Sequence, residues 1–196
     1  MPSPSDWPTH WLNPPPHAET GADGTLTLRS AAPTDFWQKT HYGFEADSGH
    51  FLHAAVAGDF VMTVHLRFRA RHQYDQAGLM VRLSPACWIK TSVEHEPGGP
   101  NRLGAVVTNH GYSDWSTQDV PLSLDALWLR VRREAADYLV EWRADESQRW
   151  TQLRLARLLE DDGARAVPAG VYCCSPKAAG YEVVFDRYSL RPGRAS

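Results

Sequence analysis

Tyr74-Asp-Gln-Ala-Gly-Leu-Met-Val-Arg-Leu-Ser-Pro85, Cys87-Trp-Ile-Lys-Thr-Ser-Val-Glu-His-Glu96 and Leu103-Gly-Ala-Val-Val-Thr-Asn109 are three alternating segments in succession. Ser84-Pro85 separates the first two and Pro97-Gly-Gly-Pro100 the second and third, and residues of these kinds end a ladder and reverse a chain. The spacing therefore predicts three consecutive antiparallel strands. Gly111-Tyr-Ser-Asp-Trp-Ser116 follows as a loop able to return over one face of them.

Side chains alternate across a strand, so each segment divides into two faces. Ala77, Leu79 and Val81 form an apolar face, continued by Ile89, Thr91 and Val93. Gln76, Gly78, Met80 and Arg82 lie opposite, with Trp88, Lys90, Ser92 and Glu94 beside them. A face of that composition is not a core. It is either a solvated outer surface bearing an Arg/Lys/Glu ladder, worth little when exposed, or a polar groove with an aromatic platform.

The pattern extends outward in both directions. Phe60-Val-Met-Thr-Val-His-Leu-Arg-Phe-Arg69 follows a Gly58-Asp59 turn and alternates apolar with polar along its length. Strands are also predicted at Thr25–Arg29, Phe51–Val56, Leu127–Arg133, Tyr138–Arg143, Trp150–Leu155, Gly170–Pro176 and Tyr181–Tyr188. Leu153–Glu160 reads as strand then loop, because Asp161-Asp-Gly163 closes it after too few turns for a helix. Thr34–Phe44 is dense in aromatics and broken by Gly43, and is expected to be a loop packing its own rings. Roughly ten or more short strands without helical periodicity define an all-β, antiparallel β-sandwich. Residues 1–10 are expected to be a flexible segment, 11–190 a single domain and 191–196 a tail.

At 196 residues, 42% hydrophobic and 22% charged, the chain suits one soluble globular domain. Its net charge of -3 is spread among mixed signs, which argues against a nucleic-acid partner. No stretch approaches the roughly 18 to 20 apolar residues of a membrane span. Cys87, Cys173 and Cys174 are an odd number with two adjacent, so no disulfide framework is indicated and a cytoplasmic location is expected. His50 and His53 would point to opposite faces of a strand, so no metal site is expected, and no cofactor motif is present. Eight tryptophans suggest rings used both in the core and at a binding surface.

Several blocks recur together: Trp11-Leu-Asn-Pro-Pro, Asp35-Phe-Trp, Thr40-His-Tyr-Gly-Phe, Gly49-His-Phe, Gly58-Asp-Phe, Tyr74 to Arg82, Trp88-Ile-Lys-Thr with Glu94, Val106-Val-Thr-Asn and Ser113-Asp-Trp-Ser. In this order they resemble the DUF1349, or regulation-of-enolase-like, family, from about Trp11 to Tyr188. The resemblance implies a concanavalin A-like jelly roll of the lectin/glucanase superfamily, with a concave sheet that often holds glycans. It implies no established activity.

The expected ligand is a carbohydrate or similar small polar compound on the concave face. Gln76, Arg82, Trp88, Lys90 and Asn109 would hold it, with Trp37, His41, Tyr42 and Trp115 at the rim. The alternative is a glycan-active hydrolase or lyase. Glycosidases need two carboxyl groups, about 5 to 5.5 Å apart for retention or about 6.5 to 9.5 Å for inversion. Glu94 and Glu96 would stand about 6.5 to 7 Å apart on an ideal strand, but Glu96 abuts the turn, so Glu94 with Asp114 is the preferred pair. A third reading, suggested by the family's name, is a regulatory module that binds another protein.

Overall fold

The computed structural model describes residues 7–193, which contain sixteen β-strands and no helix. The first eight are β1 (His10–Leu12), β2 (His17–Thr20), β3 (Leu26–Arg29), β4 (Phe36–Gln38), β5 (Glu45–Asp47), β6 (His50–Val56), β7 (Phe60–Arg69) and β8 (Gln76–Ser84). The rest are β9 (Cys87–Glu94), β10 (Asn101–Asn109), β11 (Tyr112–Val120), β12 (Ala126–Glu134), β13 (Asp137–Arg143), β14 (Thr151–Arg157), β15 (Val167–Cys174) and β16 (Glu182–Pro192). Fourteen of them build two antiparallel seven-stranded sheets, ordered β1-β6-β15-β8-β9-β10-β11 and β14-β13-β12-β7-β16-β3-β2. The expected antiparallel sandwich is therefore the observed one. β4 and β5 form a separate small hairpin.

The main core lies between the large sheets. Phe60, Met62, Val64, Leu66 and Phe68 of β7 are buried there with Ala77, Leu79 and Val81 of β8 and Ile89 and Val93 of β9. Each of these larger side chains, Ala77 apart, contributes roughly 1.5–3 kcal/mol on burial. Arg133 and Asp161 are a charge pair sealed within this layer, with Nε to Oδ2 at 2.9 Å, and the Tyr138 hydroxyl donates to the same oxygen at 2.5 Å. Losing either partner of such a pair costs about 3–5 kcal/mol, because the other charge is left buried alone.

A second apolar layer covers the outer face of the first sheet. Phe36 and Trp37 of β4 pack there on Phe51, Met80, Trp88, Val106, Tyr172 and Cys174, all buried. Three contacts pin the hairpin down. Arg82 grips the Asp47 carboxylate through two nitrogens, at 2.6 and 3.3 Å. The Gln38 amide donates to Ser113 Oγ at 2.9 Å, and the Asp35 carbonyl accepts from the Ser48 and Gly49 amides at 3.0 Å each. Lys39, His41 and Gly43 take positive φ values of 55°, 64° and 72° to turn the hairpin tip.

Four expectations change. Thr34–Phe44 is not a loop packing only its own rings: Trp37, Tyr42 and Phe44 do meet one another, but Phe36 and Trp37 serve the sheet beneath. Ser113–Ser116 is not a loop but the interior of β11, paired with β10 from Asn109↔Tyr112 to Asn101↔Val120. The flexible N-terminal segment does not include Trp7, which is buried, stacks on Tyr188 at 5.0 Å and donates to the Gly24 carbonyl. At the other end β16 continues to Pro192, past the expected boundary. The remaining end residues, 1–6 and 194–196, lie outside the described residues.

Gly49 sets how closely the hairpin can approach. A Cβ there would lie 2.3 Å from the Phe36 ring and 2.6 Å from Cys174 Sγ. We expect Gly49→Ala to lower the unfolding free energy by about 1–3 kcal/mol in urea titrations, the usual cost of overpacking. Gly99→Ala, whose added Cβ would meet nothing nearer than 3.6 Å, should stay within about 0.5 kcal/mol of the parent.

Candidate functional site

The hairpin does not cover the whole face. Beside it a cavity of about 210 Å³ remains open to solvent, roughly the liquid volume of seven waters. Gln76, Lys90 and Glu94 reach it from the sheet and Asp35 from the base of the hairpin. Trp37, Tyr42, Phe44, Tyr74 and Trp115 wall it, and Lys177 stands at its rim.

Strand register explains the assembly. Met80, Lys90, Val106 and Trp115 are cross-strand partners in one row over β8, β9, β10 and β11. Gln76 and Glu94 face each other two rows away, and the row between holds Gly78, Ser92, Gly104 and Thr117, all small. The two faces read from alternation are thus the observed ones. Tyr74, just before β8, takes φ of 67°. That is a strained conformation for a bulky residue, of the kind that concentrates at ligand sites.

The polar groups of the floor form one network. Lys90 Nζ donates to Gln76 Oε1 at 2.8 Å and to Asp35 Oδ1 at 3.4 Å. The Tyr172 hydroxyl donates to the same Gln76 oxygen at 3.1 Å, and Gln76 Nε2 donates to the Tyr74 carbonyl at 3.2 Å. The ammonium also sits 5.8 Å from the Trp88 ring and 5.7 Å from the Tyr172 ring. Burial opposes its charge, but the Asp35 carboxylate and neighbouring groups outweigh that and hold Lys90 above the ordinary lysine value. Glu94 is different: it is only 8% exposed, and among the described residues nothing donates a hydrogen bond to it or forms an ion pair with it. Burial raises its pKa to about 7; Lys90 works against the rise while Asp35 and Glu96 add to it.

The expected site residues fall into groups. Gln76, Lys90 and Glu94 meet in the cavity, and Trp37, Tyr42 and Trp115 wall it. His41, Asn109 and Asp114 instead border a broad open depression across edge strand β11, where Trp37, Tyr42 and Trp115 present their other sides. Asp114 cannot act with Glu94, because it pairs with Val107 and so points to the opposite face of the sheet from Trp115. Its carboxylate meets Arg154 of the second sheet at 2.9 Å. Asn109 shares that face and is spent as a strut, donating to the Arg157 carbonyl and accepting from the Leu159 amide. Trp88 is fully buried beside Phe36, so its ring is no platform. Arg82 belongs to the hairpin anchor. Glu96 lies past the end of β9, where it accepts from Gln73. His50 bridges the Ala31 amide and the Asn13 carbonyl.

Asp35, Phe44, Tyr74 and Lys177 were not anticipated as site residues. One signal was available. Only three of the twenty basic residues are lysines, and Lys90 and Lys177 both line the cavity while Lys39 is on the hairpin.

Fold and site together define a β-sandwich protein with a small pocket, aromatic in its walls and ionisable in its floor, beneath a hairpin on one sheet. The chain belongs to the DUF1349 family, proteins of unknown function, whose profile matches residues 11–193. It is 36% identical over 180 residues to "Regulation of enolase protein 1" of Saccharomyces cerevisiae, covering 92% of this chain and 87% of the relative. A crystal structure of a functionally unknown protein from Saccharomyces cerevisiae superposes with a TM-score of 0.87 at 33% identity, covering 99% of this chain and all of the other. The carbohydrate-binding module CBM66 from Bacillus subtilis shares the fold, with a TM-score of 0.56 at 11% identity over 92% of this chain and 94% of that one.

The raised Glu94 pKa makes stability depend on pH. The folded state holds the Glu94 proton more tightly than the unfolded chain, so this contribution is complete below about pH 4.5 and is lost as pH rises to about 7. Glu94→Gln removes the loss. Thermal melts should show Glu94→Gln more stable than the parent at pH 8, by up to about 3 kcal/mol, with the difference vanishing at pH 4.

Proposed function

We propose that the cavity binds one polyhydroxyl ring, a carbohydrate or a similar small polar compound. The observation that carries this reading is the pairing of a buried hydrogen-bonding floor, Lys90, Gln76 and Asp35, with aromatic walls in a space of about 210 Å³. Sugars offer both kinds of surface, hydroxyl groups for the floor and C–H faces for aromatic rings. The hairpin closes the face on one side, which favours a single ring or the end of a chain over an extended glycan. The carbohydrate-binding role in the name of the Bacillus subtilis module, which shares the fold, supports the same class of ligand.

Catalysis is the second reading, favoured because Asp35 and Glu94 bring two carboxyl groups to one cavity. Asp35 takes the place first given to Asp114. A panel of 4-nitrophenyl glycosides tests it: phenolate release that falls at least a hundredfold in Glu94→Gln supports the hydrolase, and release unchanged in that variant rejects it. A regulatory role through a protein partner rests on the name of the yeast relative and is compatible with a ligand-gated pocket. A cytoplasmic location is supported by three free, buried cysteines. No helix among the described residues is long and apolar enough to cross a membrane.

Monosaccharides screened by thermal shift should give a saturable rise in melting temperature, and a ligand at a hundred times its Kd adds about 2.7 kcal/mol. Trp115→Ala should weaken binding about tenfold or more, in line with the cost of removing one stacked ring. A flat response to every sugar, or identical affinity in Trp115→Ala, would overturn the assignment.

A further inference from the structure

We propose that the natural ligand carries a protonated amine, making it an amino sugar or a related amino-polyol, and that its ammonium group pairs with Glu94 against the aromatic walls. This rests on the preceding reading of the cavity and narrows it.

The charges in the cavity are not balanced in the same way. Lys90, on β9, is matched by Asp35 and Gln76. Glu94 lies four residues along the same face of the strand and has no such match. Lys90 favours its charge from along the strand but makes no bond to it, since the Lys90 ammonium is held by Gln76 and Asp35; Asp35 and Glu96 repel the charge, and Tyr74 is a neutral phenol. Lys177 stands at the rim but spends its ammonium over the Tyr74 ring, 5.5 Å from the centroid. A buried carboxylate without a direct partner is a costly arrangement to maintain, and a cation supplied from outside offsets the cost. A neutral sugar cannot do so.

The walls suit the same cation. Trp37, Tyr42, Tyr74 and Trp115 line the cavity, and an ammonium held over the face of such a ring gains about 0.5–2 kcal/mol depending on its desolvation. The chain already uses one wall in this way, through Lys177 on Tyr74. A ligand amine would extend that arrangement inward, where Glu94 waits for it.

Isothermal titration at pH 7.5 distinguishes the possibilities, with three probes: a plain hexose, its 6-amino-6-deoxy derivative and the N-acetylated form of that amine. The amine should bind at least tenfold more tightly than either neutral probe, and in Glu94→Gln, its folding checked by melting, the three should bind alike. Equal affinities in the parent, or a preference for the amine that survives in Glu94→Gln, would overturn this inference and leave the polyhydroxyl reading standing. Absence of binding by all three would remove both.

Discussion

The ion pair between Lys90 and Asp35 ties the two parts of the site together. Lys90 rises from the middle of β9 and Asp35 opens the β4–β5 hairpin, so one contact joins sheet to cover. Both charges are largely withdrawn from water, and each is tolerable there only because of the other. Gln76 completes the arrangement by accepting from the ammonium and fixing its direction. With this contact in place, the outer face of a sheet becomes an enclosed space with defined walls. Without it the hairpin would still be held by Phe36, Trp37 and the Arg82–Asp47 pair, but the floor of the cavity would lose its link to the cover.

The faces of the central strands were legible because a half-buried strand must alternate. Leu79, Val81, Ile89 and Val93 could only belong together, and Gln76, Lys90 and Glu94 could only lie opposite them. The cover was not legible, since Phe36 meets Trp88 across some fifty positions of chain and nothing local announces that contact. This is why Trp88 resembled a binding platform in the sequence. Asp114 was misplaced for a different reason: β11 continues straight from a tight turn at His110 and Gly111, so a count by twos from Asn109↔Tyr112 puts Ser113 and Trp115 on the pocket side and Asp114 away from it. Treating that segment as a loop discarded the count.

The tryptophans show how one residue type serves several tasks in such a sandwich. Trp7 and Trp88 fill space, Trp37 and Trp115 bound the cavity, and Trp128 and Trp150 alternate with arginines on the outside of the second sheet. There the Arg130 and Arg143 guanidinium groups lie 4.1 and 4.6 Å from the Trp150 ring, and Arg143 also reaches Trp128 at 5.0 Å. The rings on that side are shielded by cations. Among the described residues, Trp37 and Trp115 carry no such arginine and line the cavity instead, which separates the two surfaces chemically although both are rich in indole.

The scarcity of lysine has a practical side. All three lysine side chains lie on the hairpin or at the cavity, and Lys90 is buried, so Lys39 and Lys177 are the side-chain amines within reach of a reagent. Amine-directed coupling to a sensor chip or resin through these side chains would therefore attach the molecule by its pocket side and turn the opening toward the support.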